Sequence, residues 1–303
     1  MSEVKNLPAS IRQRLLNKAY ATSRPYNELL QYFAIERFLY RLSRSVYVDK
    51  FILKGALMFL VWEAPGFRPT RDIDLLGFSS NDMDTVIQLF QEVCALEVEP
   101  DGMVFDTHSI KAERIKEDAD YEGIRVRIIA YLGKARVGLQ IDIGFADVVS
   151  PAPLLVDYPT ILPMPAPHLR GYSAESVISE KLQALAVLGD VNTRMKDYYD
   201  LWILAKQFKF DGPRLQEAIL QTFQRRNTAI PDTPLVGLTD RFAFEKQNQW
   251  QAFIQRIRAE TGVASLSETI HALSGFLLPA LQACARAERF NATWEPGGPW
   301  VYS

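Results

Sequence analysis

From Pro8 to Arg44 the apolar positions recur at helical spacing: Ile11, Leu15 and Ala19 stand four apart, and Leu29, Tyr32, Phe33, Phe38, Leu39 and Leu42 continue the stripe. Pro25 stands where a second helix would open, a position that tolerates its fixed φ and missing donor. The texture then changes. Val46 to Leu53 reads as a short strand broken by Gly55, Ala56 to Trp62 as a helix, and Asp72 to Leu76 as a second strand. Residues 82–96 return to helical spacing, whereas 103–114, 122–132 and 136–144 carry β-branched residues in a rough period of two.

Prolines then cluster at 151, 153, 159, 163, 165 and 167, a composition that neither a helix interior nor a central strand accepts, so a domain junction is expected there. Beyond it Ser173 is the expected N-cap of a helix with Glu175 in its first turn and Gly189 as its C-cap. A second helix follows Asn192 or Thr193 and turns Tyr198, Leu201, Trp202 and Leu204 to a core, and two or three more fill 212–288. Trp294 to Ser303 reads as an irregular tail. The expected fold is α+β or α/β, a mixed sheet flanked by helices over residues 1–165 with N-terminal helices, then a mainly helical domain over 166–303.

Composition narrows the function classes. A length of 303 residues suits two joined units, and 48% hydrophobic with 23% charged residues is ordinary globular composition, not disorder. The 34 basic and 36 acidic residues nearly cancel, so any contact with nucleic acid must come from a local patch. Cys94 and Cys284 lack a CxxC spacing and only three histidines are present, which argues against zinc and for a reducing compartment. The N-terminal stretch lacks an apolar signal core and no stretch reaches membrane-span length, so a cytoplasmic protein without a membrane partner is expected.

The sharpest chemical signal is Thr70-Arg71-Asp72-Ile73-Asp74-Leu75-Leu76. On a strand, Asp72 and Asp74 face one way while Ile73 and Leu75 face the core, and two converging carboxylates suit a hard divalent cation unless they are simply solvated acids. Upstream, Lys54-Gly55-Ala56 ends one strand and opens a helix, which leaves backbone donors for a phosphate or is a plain glycine turn. Downstream, Asp142 stands alone on the apolar strand Gln140-Ile141-Asp142-Ile143-Gly144-Phe145, either as a further metal ligand or in a salt bridge to Arg127 or Arg71. Lys181 on an apolar helix reads as a snorkelling lysine or a functional one. Arg194, Lys196, Asp197 and Asp200 fall at the spacing of an ion-pair ladder.

Taken in order, KGALMF, TRDIDLLG, QIDIGF, Glu180-Lys181-Leu182-Gln183-Ala184-Leu185 and Arg194-Met195-Lys196-Asp197-Tyr198-Tyr199-Asp200-Leu201 resemble the AbiEii/AbiGii toxin family of DNA polymerase β-like nucleotidyltransferases over roughly residues 25–210. The resemblance implies that Gly55 is the phosphate-loop glycine, flanked by Lys54 and Ala56. It implies that Asp72 and Asp74 are the metal-binding pair with Arg71 beside them, and Asp142 the third carboxylate. Lys181 is then the helical lysine near the triphosphate, and Asp197 and Asp200 are the acids of the last motif. Two departures stand out: Ala56 replaces a second glycine or a serine, and Lys196-Asp197 replaces an Arg-Asp pair, keeping the charge but losing the guanidinium fork.

The activity implied by the resemblance is Mg²⁺- or Mn²⁺-dependent transfer of a nucleoside monophosphate from a nucleoside triphosphate (NTP) to RNA, such as a tRNA 3′ end. Asp142 would act near the attacking hydroxyl, and Tyr198 or Tyr199 would be available to stack on the base. The setting would be a toxin–antitoxin pair in phage defence, with a cognate antitoxin that need not form a stable complex. A protein or small-molecule acceptor, a metal-dependent nuclease and a non-catalytic module are the alternatives.

Overall fold

The computed structural model describes residues 6–78, 80–118, 121–145, 149, 151–257 and 264–303. The chain divides into two compact units. The first comprises Met1–Trp62, Thr70–Asp147 and Leu154–Gly171; the second comprises Glu63–Pro69, Val148–Pro153 and Tyr172–Ser303.

In the first unit α1 (Leu7–Thr22) starts at Asn6, whose side chain accepts the Ala9 amide, and α2 (Tyr26–Arg44) starts at Pro25. Next come β1 (Phe51–Lys54), a one-turn α3 (Met58–Val61), β2 (Asp72–Gly77) and α4 (Met83–Ala95), the last capped by Asp82. The long strands β3 (Met103–Asp118), β4 (Tyr121–Leu132) and β5 (Ala135–Phe145) follow, then β6 (Leu154–Asp157) and β7 (His168–Gly171). Among the described residues these form one seven-stranded mixed sheet in the order β3-β4-β5-β2-β1-β7-β6. Phe38 of α2 stacks on Phe90 of α4 at 5.7 Å, joining the two helices.

Register in the sheet centre is set by burial. Ile73 of β2 lies level with Ile141 of β5, which lies level with Val126 of β4, and all three are fully buried. Each such side chain contributes about 1.5–3 kcal/mol on burial. A one-residue slip of β2 would put Asp72 and Asp74 in their place, so the apolar face fixes the acidic one.

Two expectations for this unit change. The strand expected from Val46 begins only at Phe51: Val48–Lys50 form a 3₁₀ turn and Val46 is exposed, so its β-branched side chain has no sheet to pack on. The helix expected from Ala56 to Trp62 is a 3₁₀ turn, Gly55–Leu57, followed by the single turn α3. The proline-rich stretch also carries two strands that periodicity did not show, because β6 and β7 are four residues each and β6 is a sheet edge.

The second unit holds α5 (Ala174–Leu188), α6 (Met195–Gln207), β8 (Phe210–Asp211), α7 (Gly212–Arg225), α8 (Asp240–Ile257) and α9 (Leu266–Ala285), then β9 (Ala292–Trp294) and β10 (Trp300–Tyr302). Ser173 caps α5 through the Ser176 amide, and Gly189 ends it with positive φ. The end of the chain is not an irregular tail: β9 pairs with β10 and β8. Its tryptophans explain the order. Trp294 and Trp300 pack against Phe276 of α9 with ring centroids 4.8 and 5.9 Å away, and their indole N–H groups donate to the Ala205 and Phe276 carbonyls.

Candidate functional site

On the face of the central strands opposite Ile73 and Ile141, polar residues line up strand by strand. Lys54 of β1 is level with Asp74 of β2, Asp74 with Asp142 of β5, and Asp142 with Arg125 of β4. Residues level with one another across a sheet share a face, so one row carries cation, anion, anion, cation. The adjacent row on that face carries Asp72, Gln140 and Arg127. The structure thus brings the sequence candidates Asp72, Asp74 and Asp142 to one face of two parallel neighbouring strands.

Asp74 reaches over the turn after β1. A Cβ built on Gly55 would lie 2.0 Å from Asp74 Oδ2, and Gly55 has a φ of +72°. Both facts demand glycine: the carboxylate fills the space of a side chain, and the backbone sits where L-residues are strained. Ala56 is buried behind it and Arg71 is exposed at the start of β2. With α3 only one turn long, backbone donors at Gly55–Leu57 come from a tight turn and not from a helix dipole.

Asp142 has a partner that the sequence did not reveal. Arg125 grips it with both arms of the guanidinium, Nε to Oδ1 and Nη2 to Oδ2 at 2.8 Å each, and Gln140 Nε2 adds a contact at 3.4 Å. The salt bridge expected to Arg127 or Arg71 is therefore made by Arg125, while Arg127 pairs with Glu113 at 2.7 Å. Arg125 and Arg127 alternate identically in Ile-Arg-Val-Arg-Ile, and only the cross-strand register distinguishes them. The hydrogen bonds from Arg125 to Asp142 raise the guanidinium pKa above its ordinary value, and the charges of Asp142 and Asp72 add to this.

In the second unit Lys181 of α5 meets both acids of α6. Its ammonium lies 2.6 Å from Asp197 Oδ1 and 2.9 Å from Asp200 Oδ2. Arg194 Nε stands 2.6 Å from the other Asp197 oxygen, and Arg68 grips Asp200 at 2.9 Å through two nitrogens. Burial works to raise the Asp197 pKa, but Lys181 and Arg194 prevail and hold it at about 2. Burial likewise opposes charge on Lys181, and Asp197 and Asp200 outweigh it, so its pKa is raised. This is a buried network closing α5 onto α6, and Arg68 is a member that carried no sequence signal. Tyr198 and Tyr199, expected to be available for stacking, are enclosed: Tyr198 stacks on Phe242, and Tyr199 packs on Trp250 and Phe253 with its hydroxyl donating to the Gly66 carbonyl.

A protein-family model described as the nucleotidyl transferase AbiEii toxin of a type IV toxin–antitoxin system matches residues 37–276. The chain belongs to this family. An AbiEii-family chain is a nucleotidyltransferase of a toxin–antitoxin system, and membership implies a nucleoside triphosphate substrate and an antitoxin partner. Among solved structures, the AbiEii-family chain is similar to JHP933 from Helicobacter pylori, at 15% identity and a TM-score of 0.44 over 83% of this chain and 87% of that one. It is also similar to a candidate nucleotidyltransferase from H. pylori, at 16% identity and a TM-score of 0.41 over 83% and 90%. No curated protein matches the chain. No helix among the described residues is long and apolar enough to cross a membrane.

Nucleotidyltransferases generally use a divalent metal, and the acidic face can be tested for one. Its donors are all carboxylate oxygens, the chemistry that hard cations take, and Asp72 and Asp74 stand two residues apart on one strand face. Among the described residues, however, no group of three His, Cys, Asp or Glu side chains is arranged to hold a metal ion. Asp142, next in the row, is turned to Arg125. The residues fit as a carboxylate pair with a third acid adjacent but engaged.

Proposed function

We propose that this AbiEii-family enzyme works in the cytoplasm as a toxin, transferring a nucleoside monophosphate from a nucleoside triphosphate to RNA, with the tRNA 3′ end as acceptor and a cognate antitoxin as its check. The observation that carries the reading is the single sheet face shared by Asp72, Asp74 and Asp142. A bound Mg²⁺ or Mn²⁺ would supply charge neutralisation to the triphosphate and the departing pyrophosphate, with Asp72 and Asp74 as its holders and Asp142 next to them.

The chain's own groups divide the remaining work. Gly55 seats the Asp74 carboxylate where a side chain would begin, and the backbone amides of the turn that it forms with Lys54 and Ala56 are the donors for a phosphate. Asp142, level with Asp74 on the acidic face, acts near the attacking hydroxyl, lowering its pKa through a bound metal or accepting its proton. Arg71, exposed at the head of β2, contributes positive charge for phosphate oxygens. Support for a polyanionic acceptor comes from the second unit. There an open depression of about 590 Å³ is lined by Arg194, Lys196 and Arg256 and, among the described residues, by no acid. A local patch of this kind supports an RNA acceptor for a nearly neutral chain, although Arg194 also pairs with Asp197.

Incubation with Mg²⁺, total RNA and NTPs labelled at either the α- or the γ-phosphate tests the reading. The α-label should appear on RNA and the γ-label should leave with pyrophosphate. Label on protein or on a small molecule would reassign the acceptor, and RNA cleavage without NTP would replace transfer by nuclease chemistry.

A further inference from the structure

We propose that Arg125 is a displaceable counter-cation: it occupies Asp142 when no metal is bound, yields that carboxylate to the divalent cation, and then turns its guanidinium to a phosphate of the nucleotide. The inference rests on the metal-dependent reading above and adds the step by which the third acid joins the other two.

Three observations carry it. The first is geometric. Arg125 engages both oxygens of Asp142 at 2.8 Å, so while the pair is closed a metal could share that carboxylate only beside a guanidinium whose like charge repels it. The second is the row itself. Asp142 is level with Asp74, the metal-pair member two residues from Asp72, so the Arg125 contact separates a two-acid arrangement from a three-acid one. The third is exposure. The Arg125 side chain is 28% exposed and Asp142 13%, so the guanidinium lies on the solvent side of the pair and can leave without opening the core.

Chemistry gives the direction. Asp72, Asp74 and Asp142 repel one another on a shared face, and without a metal a fixed cation offsets that repulsion and holds them in register. An arginine suits this post because its planar fork matches a carboxylate in one state and a phosphate in the other, whereas a lysine would be a point charge in both. Metal and Arg125 therefore compete for Asp142, while nucleotide and Arg125 cooperate. A purely structural arginine would instead support both ligands or neither.

Mn²⁺ affinity measured by electron paramagnetic resonance without nucleotide, and NTP affinity measured by calorimetry with metal present, separate these roles on the full chain. Arg125→Gln should bind Mn²⁺ about tenfold more tightly and NTP about tenfold more weakly, the scale of an ordinary coupling between two sites. Arg125→Lys should fall between wild type and Arg125→Gln in both measurements. Mn²⁺ binding that is unchanged or weaker in a folded Arg125→Gln protein overturns the proposal. Asp74→Asn is the control for the underlying reading. If it weakens Mn²⁺ binding while Arg125→Gln does not strengthen it, only the role of Arg125 falls. If Asp74→Asn leaves Mn²⁺ binding unchanged, the metal site itself is wrong and the proposal falls with it.

Discussion

Gly55 and Asp74 compete for one volume: the space where a Gly55 side chain would begin is filled by the Asp74 carboxylate, whose Oδ2 would lie 2.0 Å from that Cβ. The turn after β1 and the acid of β2 are therefore packed as one element, and a side chain on Gly55 would have to displace the Asp74 carboxylate. Gly55→Ala should cost about 1–3 kcal/mol in strain at its φ of +72° and push Asp74 out of line. Thermal melts should show a lower Tm, and nucleotidyl transfer should fall further than the loss of stability accounts for. Wild-type transfer by Gly55→Ala would show that Asp74 need not sit over this turn.

Asp197 links stability to acid. Its folded pKa of about 2 lies below its ordinary value of 3.8, so the unfolded chain takes up the proton first as pH falls. The resulting stabilisation, about 2 kcal/mol, is complete above roughly pH 4 and is lost between about pH 4 and 2. Urea unfolding at pH 5 and at pH 2.5 should show this loss in wild type and a smaller one in Asp197→Asn. At pH 7 the variant should be less stable by about 3–5 kcal/mol, because Lys181 and Arg194 keep their charges without it. Equal acid losses in the two proteins would place the stabilisation elsewhere.

Trp300 anchors the chain's end. Its ring stacks on Phe276 and its N–H reaches the Phe276 carbonyl at 2.8 Å, so Trp300→Ala should remove about 3–5 kcal/mol of stability. A melt within a degree of wild type would mean that β10 adds little to the second unit.

The legible parts of the fold and site are those whose signals are local. The acid pair at 72 and 74 was readable because strand alternation is a property of a few adjacent residues, and Ile73 and Leu75 are buried as the pattern required. The helices capped by Ser173 and Asp82 announced themselves for the same reason. Arg125 did not, because its partnership with Asp142 depends on a cross-strand register between residues 17 apart, and Arg127 presents the same parity. Nor did Arg68, whose partner Asp200 is 132 residues away. The C-terminal strands were hidden by length: three-residue strands on either side of Pro296-Gly297-Gly298-Pro299 carry no period, and their order comes from tryptophans packed on α9. Tyr198 and Tyr199 were misread because an aromatic on an amphipathic helix looks the same whether it faces a ligand or the core.

Asp74 is the residue on which the proposed chemistry depends most, and the most direct measurement compares wild type with Asp74→Asn. Each would be incubated with purified tRNA, Mg²⁺ and α-labelled NTP, following label on RNA together with pyrophosphate release. Wild type should transfer label with one pyrophosphate per nucleotide added. The folded variant should lose about 100-fold or more in rate, the equivalent of several kcal/mol of charge stabilisation in the transition state. Transfer by Asp74→Asn at a rate near wild type, in a protein with an unchanged melt, would contradict the assignment of the acidic face as the catalytic centre.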